Sequence, residues 1–124
     1  MSPRPTCPCE GRTLDRHLQP TILAYLADGP EHGYALADRL GGSPLMNGCS
    51  PDRPGVYRSL VTMEGQGLVK HVVATSGSGP AKRLYQLTPT GKVCLGKWID
   101  TLEHYQESIG KLGFVSKGVL DVIP

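Results

Sequence analysis

The chain has 124 residues, of which 39% are hydrophobic and 19% charged, with 16 Gly, 11 Pro and a formal net charge of +2. That length supports one domain with a single modest core; the composition excludes a disordered or disulfide-built chain, and no apolar run approaches the length of a membrane span or a secretory signal, so a cytoplasmic protein without membrane contact is expected. The charge is polarised: Arg53, Arg58, Lys70, Lys82, Arg83, Lys92 and Lys97 face a single acid, Glu64, giving that stretch +6, while the other parts of the chain hold −4, a distribution suited to a polyanionic partner.

Residues 1–13 read as an irregular arm containing Cys7 and Cys9. Leu14 and Leu18 are one helical turn apart, and Gln19 and Pro20 suit the cap and first position of a helix over Pro20 to Asp28, which buries Ile22, Leu23 and Leu26. Gly29-Pro30 ends it. A second helix, about His32 to Leu40, presents Tyr34, Leu36, Ala37 and Leu40 and stops at Gly41-Gly42, and residues 43–50 form a loop.

Asp52 is the expected N-cap of a third helix, with Pro54 where no N–H is needed and Gly67 as the stop. Steps of 100° put Val56, Leu60 and Met63 on one side. The other side carries Gly55, Arg58, Thr62 and, at its edge, Ser59 and Gln66, a small and hydrogen-bonding surface that invites close approach. After Gly67 the pattern changes to β: Leu68, Val69, Val72 and Val73, a Ser76 to Pro80 tip, then Leu84, Tyr85 and Leu87 form a hairpin with Lys82 and Arg83 just past its tip. Thr88-Pro89 starts a last helix on which Leu95, Trp98, Leu102, Tyr105, Ile109 and Leu112 recur at heptad spacing. This seam covers only about two and a half heptads, so a homodimer seam helped by Leu14 and Leu18 is expected, against burial on the chain's own core.

The order of elements makes a mainly α chain with a β-hairpin, a winged helix-turn-helix over residues 14–87, followed by a dimerisation helix over 88–113 and a tail over 114–124. Three motifs in that order, Ile22 to Tyr34 (ILAYLADGPEHGY), Gly55 to Leu60 with Met63 to Val69 (GVYRSL, MEGQGLV) and Lys82 to Gly91 (KRLYQLTPTG), resemble the signatures of the PadR family of bacterial transcriptional regulators. The resemblance covers roughly Leu14 to Ile109 and is closest to the smaller subtype with one C-terminal helix. It implies a homodimeric, effector-responsive repressor that binds double-stranded DNA with the third helix in the major groove and the wing on the backbone.

Within that frame Arg58 and Thr62 are expected to read base edges, Tyr57 and Ser59 to bond phosphates, and Lys82 and Arg83 to neutralise them, with Arg53 and Gly55 on the same surface. His32 and Gly33 match the family motif and are expected to be structural. An effector could sit near Trp98 and Tyr105, although the heptad already explains both. Cys7, Cys9 and Cys49 depart from the family pattern: they could converge on zinc or another thiophilic metal, or act as a redox pair, making the regulator a thiol or metal sensor, or be idle. Cys94 suits a small buried hydrophobe. No phosphate loop or nucleophile elbow supports an enzyme, and a winged helix used only for protein contacts is the remaining alternative.

Overall fold

A computed structural model describes residues 17–43, 45, 51–74 and 82–123. Leu14, the arm with Cys7 and Cys9, Cys49 and the hairpin tip lie outside them. The order is α1 (Leu18–Ala27), β1 (Glu31–His32), α2 (Gly33–Gly41), α3 (Arg53–Gly65), β2 (Val69–Ala74), β3 (Lys82–Leu87) and α4 (Pro89–Val122). Three helices pack on a small antiparallel sheet of order β1-β3-β2, a winged helix-turn-helix, and α4 leaves the sheet as one long rod.

The core forms where the apolar positions of each element converge. Ile22, Leu23 and Leu26 of α1, Leu36 and Leu40 of α2, and Val56, Leu60 and Met63 of α3 are buried against Leu68, Val69 and Tyr85. These are the stripes that helical spacing predicts. Val72 and Val73 are exposed, because the hairpin runs beyond the core after its first residues.

Several boundaries differ from the sequence expectation. α1 begins at Leu18, with Pro20 inside the first turn, where backbone N–H groups lack intrahelical partners and a proline costs little. His32 does not start α2; it forms β1 with Glu31, pairing with Leu84 and Tyr85 of β3, a third strand too short to show as alternation. Tyr34 is not in the buried stripe of α2 and is 41% exposed. The largest difference is in α4: the expected stop at 113 and the following tail are replaced by unbroken helix to Val122. Single glycines such as Gly113 and Gly118 weaken a helix by about 1 kcal/mol each but leave its hydrogen-bond ladder intact. The helix ends where Ile123 turns extended (φ −75°, ψ 123°), as the residue before a proline must.

The caps at Asp52 and Thr88 form as expected. Asp52 Oδ1 accepts the Gly55 N–H at 2.8 Å, and Thr88 Oγ1 accepts the Gly91 N–H at 2.9 Å. The Thr88 hydroxyl also lies 2.6 Å from the Gly67 carbonyl oxygen, to which it can donate, and the Thr88 N–H donates to Leu68 O at 3.1 Å. Gly67 turns the chain out of α3 at φ 77°, so the end of α3 and the start of the rod are joined at one corner.

That corner is tight. A methyl group at Gly91 would stand 2.1 Å from the Leu68 carbonyl oxygen, whereas one at Gly96 meets nothing within 4 Å. Gly91→Ala is therefore expected to destabilise the fold by about 1–3 kcal/mol in chemical denaturation. Gly96→Ala should stabilise it by about 0.5–1 kcal/mol through helix propensity, giving shifts of opposite sign.

Candidate nucleic-acid interface

On α3 the Asp52 cap sets the helix phase, and the burial of Val56, Leu60 and Met63 turns Arg58, Val61 and Thr62 outward. Arg58 makes no ion pair among the described residues, so its guanidinium is available. Val61, which the sequence reading passed over, is 59% exposed between the two expected base readers. The signal that could have found it is a β-branched apolar residue at a helix position opposite the core stripe.

Other expected residues are placed differently. Gly55 is explained by the cap: a Cβ there would come within 2.6 Å of the Asp52 carboxylate, so the glycine serves the helix start. Ser59 is only half-buried, at the edge of the outward face. Arg53 pairs with Asp38 of α2, which offsets its charge. Both partners are 59% exposed, so the pair is weak and salt-sensitive.

Tyr57, Lys82 and Arg83 come together. With Gly33, Tyr34 and Tyr85 they line a cleft of about 310 Å³ between the first turn of α2, α3 and β3 of the wing. Gly33 is required there, since a Cβ would lie 3.0 Å from Tyr57 Cε1 and 3.2 Å from Tyr85 Cε2. The Tyr34 ring stacks on His32, with centroids 5.7 Å apart and planes at 12°, and Lys82 Nζ lies 5.2 Å from the Tyr34 ring centroid. His32 thus does more than complete a turn; its Nδ1 is buried without a hydrogen-bond partner among the described residues.

The wing is braced from the other side by Glu64 of α3. Its carboxylate accepts from His71 Nδ1 at 2.7 Å and from the His71 backbone N–H at 3.2 Å, and an acceptor-only carboxylate places the ring proton on Nδ1. β2 is an edge strand, so this contact also occupies an otherwise unpaired edge amide.

The apolar seam of α4 divides in two. Leu95 and Trp98 pack partly buried against the domain's own core with Leu18 and Cys94, and Trp98 Nε1 donates to Gln19 Oε1 at 2.9 Å. Core burial, set aside in the sequence reading, therefore holds for the first two seam positions. Leu102, Tyr105, Ile109 and Leu112 are exposed. An apolar cleft of about 660 Å³ separates α1 from this part of α4, with Tyr105 but not Trp98 on its wall. No helix among the described residues is long and apolar enough to cross a membrane, and no cluster of metal-binding side chains occurs among them.

The transcriptional regulator PadR-like family matches residues 22–97, which take in α1 from Ile22 on, all three strands, α2, α3 and the first turns of α4. The chain belongs to that family. PadR-like members are regulators of transcription and not enzymes. No curated protein matches the chain by sequence. Among solved structures it is similar to a conserved protein of unknown function described as a potential transcriptional factor, at 29% identity and TM-score 0.71, over 98% of this chain and 99% of that one. A PadR family transcriptional regulator from Eggerthella lenta is 26% identical with TM-score 0.68, over 80% of this chain and 83% of that one. Bacillus subtilis PadR in complex with operator DNA is 26% identical with TM-score 0.60, and the match spans 66% of this chain but only 46% of that longer one.

Glu64→Ala should cost about 1 kcal/mol of stability and speed hydrogen exchange at the His71 amide more than at amides inside the β2–β3 ladder. Uniform acceleration across the sheet would show that the contact does not brace the wing locally.

Proposed function

We propose that this protein is a sequence-specific, DNA-binding transcriptional repressor that acts as a homodimer and is released by an effector. The observation that carries the reading is the outward face of α3, Arg58, Val61 and Thr62, together with the cleft that Tyr57 of the same helix forms with Lys82 and Arg83 near the tip of the wing. A helix of this kind enters the major groove, where Arg58 suits a guanine edge, Thr62 accepts or donates to either base, and Val61 offers methyl groups to thymine. Tyr57, Ser59, Lys82 and Arg83 serve the phosphates, which set position and affinity but carry no sequence information. The similarity to Bacillus subtilis PadR, whose structure is in complex with operator DNA, supports DNA as the partner.

Support for the homodimer comes from α4, which at 34 residues is roughly 50 Å long and leaves Leu102, Tyr105, Ile109 and Leu112 exposed, with only the open cleft beside α1 facing the first three. Burying each against a second copy contributes about 1.5–3 kcal/mol per large apolar side chain. The cleft between α1 and α4 would then be closed by the partner, and Tyr105 on its wall offers a face to a flat apolar effector. Trp98 would reach such a molecule only from beside the cleft, being tied to Gln19.

Duplexes selected from a random pool by the purified protein test the DNA reading. Arg58→Ala should relax preference at one base pair by about 1–3 kcal/mol while leaving affinity for random DNA nearly unchanged. Val61→Ala should abolish discrimination between thymine and deoxyuracil at one position, a methyl contact of about 0.8 kcal/mol. Equal losses on selected and random DNA would reject both readout roles.

For the dimer, Leu102→Glu with Ile109→Glu should convert the protein to a folded monomer by light scattering, with unchanged helix content and weakened binding to selected duplexes. A dimer that survives both charges would place the interface elsewhere.

A further inference from the structure

We propose that the cleft between α2, α3 and the wing seats a single DNA backbone phosphate, and that Tyr34 is the positioning residue that holds Lys82 over it. This rests on the DNA-binding reading above and adds a residue and a site to it. The cleft is lined by two cations, Lys82 and Arg83, and by the rings of Tyr34, Tyr57 and Tyr85, with no carboxylate among its lining residues. The nearest acid on β1, Glu31, is turned to Arg39 at 2.8 Å. A cleft that gathers cations and excludes acids selects an anion, and Tyr57 on its wall belongs to the same helix as Arg58 and Val61, so on the DNA-binding reading that anion is a backbone phosphate near the bases those residues face.

The manner in which Lys82 is held sharpens the inference. A lysine on an exposed strand end samples many rotamers, and ordering it on binding costs free energy. Here its ammonium rests 5.2 Å from the centre of the Tyr34 ring, and that ring is backed by His32, so the side chain is directed before any ligand arrives. The contrast with Arg53 is instructive, because Arg53 is held by the Asp38 carboxylate, which orients it and cancels its charge together. An aromatic face orients a cation and leaves its charge and its N–H donors free for phosphate. Placement of the ring depends on β1, since His32 is fixed by pairing with Leu84 next to Arg83.

The test uses the full-length protein and a duplex it selects from a random pool, with each phosphate replaced in turn by a neutral methylphosphonate. The wild-type protein is expected to lose affinity at a phosphate where Lys82→Gln shows no further loss. Tyr34→Leu should weaken binding about two- to five-fold, the worth of an exposed cation and ring contact, and should lose sensitivity at that same phosphate while keeping the others. Tyr34→Phe, which keeps the ring, should restore both. Wild-type sensitivity retained at every phosphate in Tyr34→Leu, or Tyr34→Phe behaving like Tyr34→Leu, overturns the inference and leaves the DNA-binding reading intact. A wild-type protein that selects no duplex overturns both.

Discussion

Tyr85 stands in the middle strand of the sheet, 2% exposed, and the packing of its ring is the contact on which the geometry of the interface depends. In register it faces Glu31 of β1 on one side and His71 of β2 on the other, and its ring touches the space that Gly33 leaves open at the start of α2. Tyr57 of α3 closes on the same glycine. One buried ring therefore references the beginning of α2, α3 and the wing to a common point, so that side chains from three elements meet at one cleft. A larger residue at Gly33 would push on two rings at once, and one or both would have to shift to make room.

Around that reference the contacts hold the wing on both flanks by different means. Glu64 and His71 tie β2 to the end of α3 through a half-buried hydrogen-bonded pair, where geometry matters more than net charge. On the β1 side the stack of His32, Tyr34 and Lys82 leaves charge available. The difference suits their positions: the first contact faces the corner where α3 ends, the second the surface where the cations lie. The Thr88 and Gly91 corner then fixes the departure of α4 relative to Leu68. Since the same α4 carries the exposed apolar positions, the direction of the rod and the end of α3 are set at one corner by a few residues.

Much of this was legible in the linear chain because it is local. The caps at Asp52 and Thr88, the stop at Gly67, the helical spacing of Val56, Leu60 and Met63, and the outward Arg58 and Thr62 all rest on interactions spanning a few residues, which spacing and residue type express directly. The order of elements and the wing were legible from the change of period after Gly67, and the family motifs added the expectation of a DNA partner. Residues missed were those whose role depends on a distant partner. Tyr34 looked like a member of a buried stripe because its period fits one, and it is instead turned to the surface by His32 and Lys82. Gly55 looked like an open approach for a ligand, and its neighbour is the capping carboxylate. β1 is two residues long, too short for any alternation to register, and exists because β3 offers an unpaired edge.

The rod shows the same division. A heptad was readable from Leu95 to Leu112, but the sequence could not say which turns meet their own domain, because one apolar repeat serves either partner. The tertiary structure decided it by placing α1 against the first turns, so that Trp98 reaches Gln19 and the later positions run past the domain edge. Sequence by itself determined the helices, the caps at Asp52 and Thr88, the stop at Gly67, the polarity of charge and the outward face of α3. Folding in three dimensions decided which cations stay free, since Arg53 is offset by Asp38 while Lys82 rests on an aromatic face. The reason is that free charge is a property of what stands next to a side chain in space, and neither Asp38 nor Tyr34 is a neighbour of its cation along the chain.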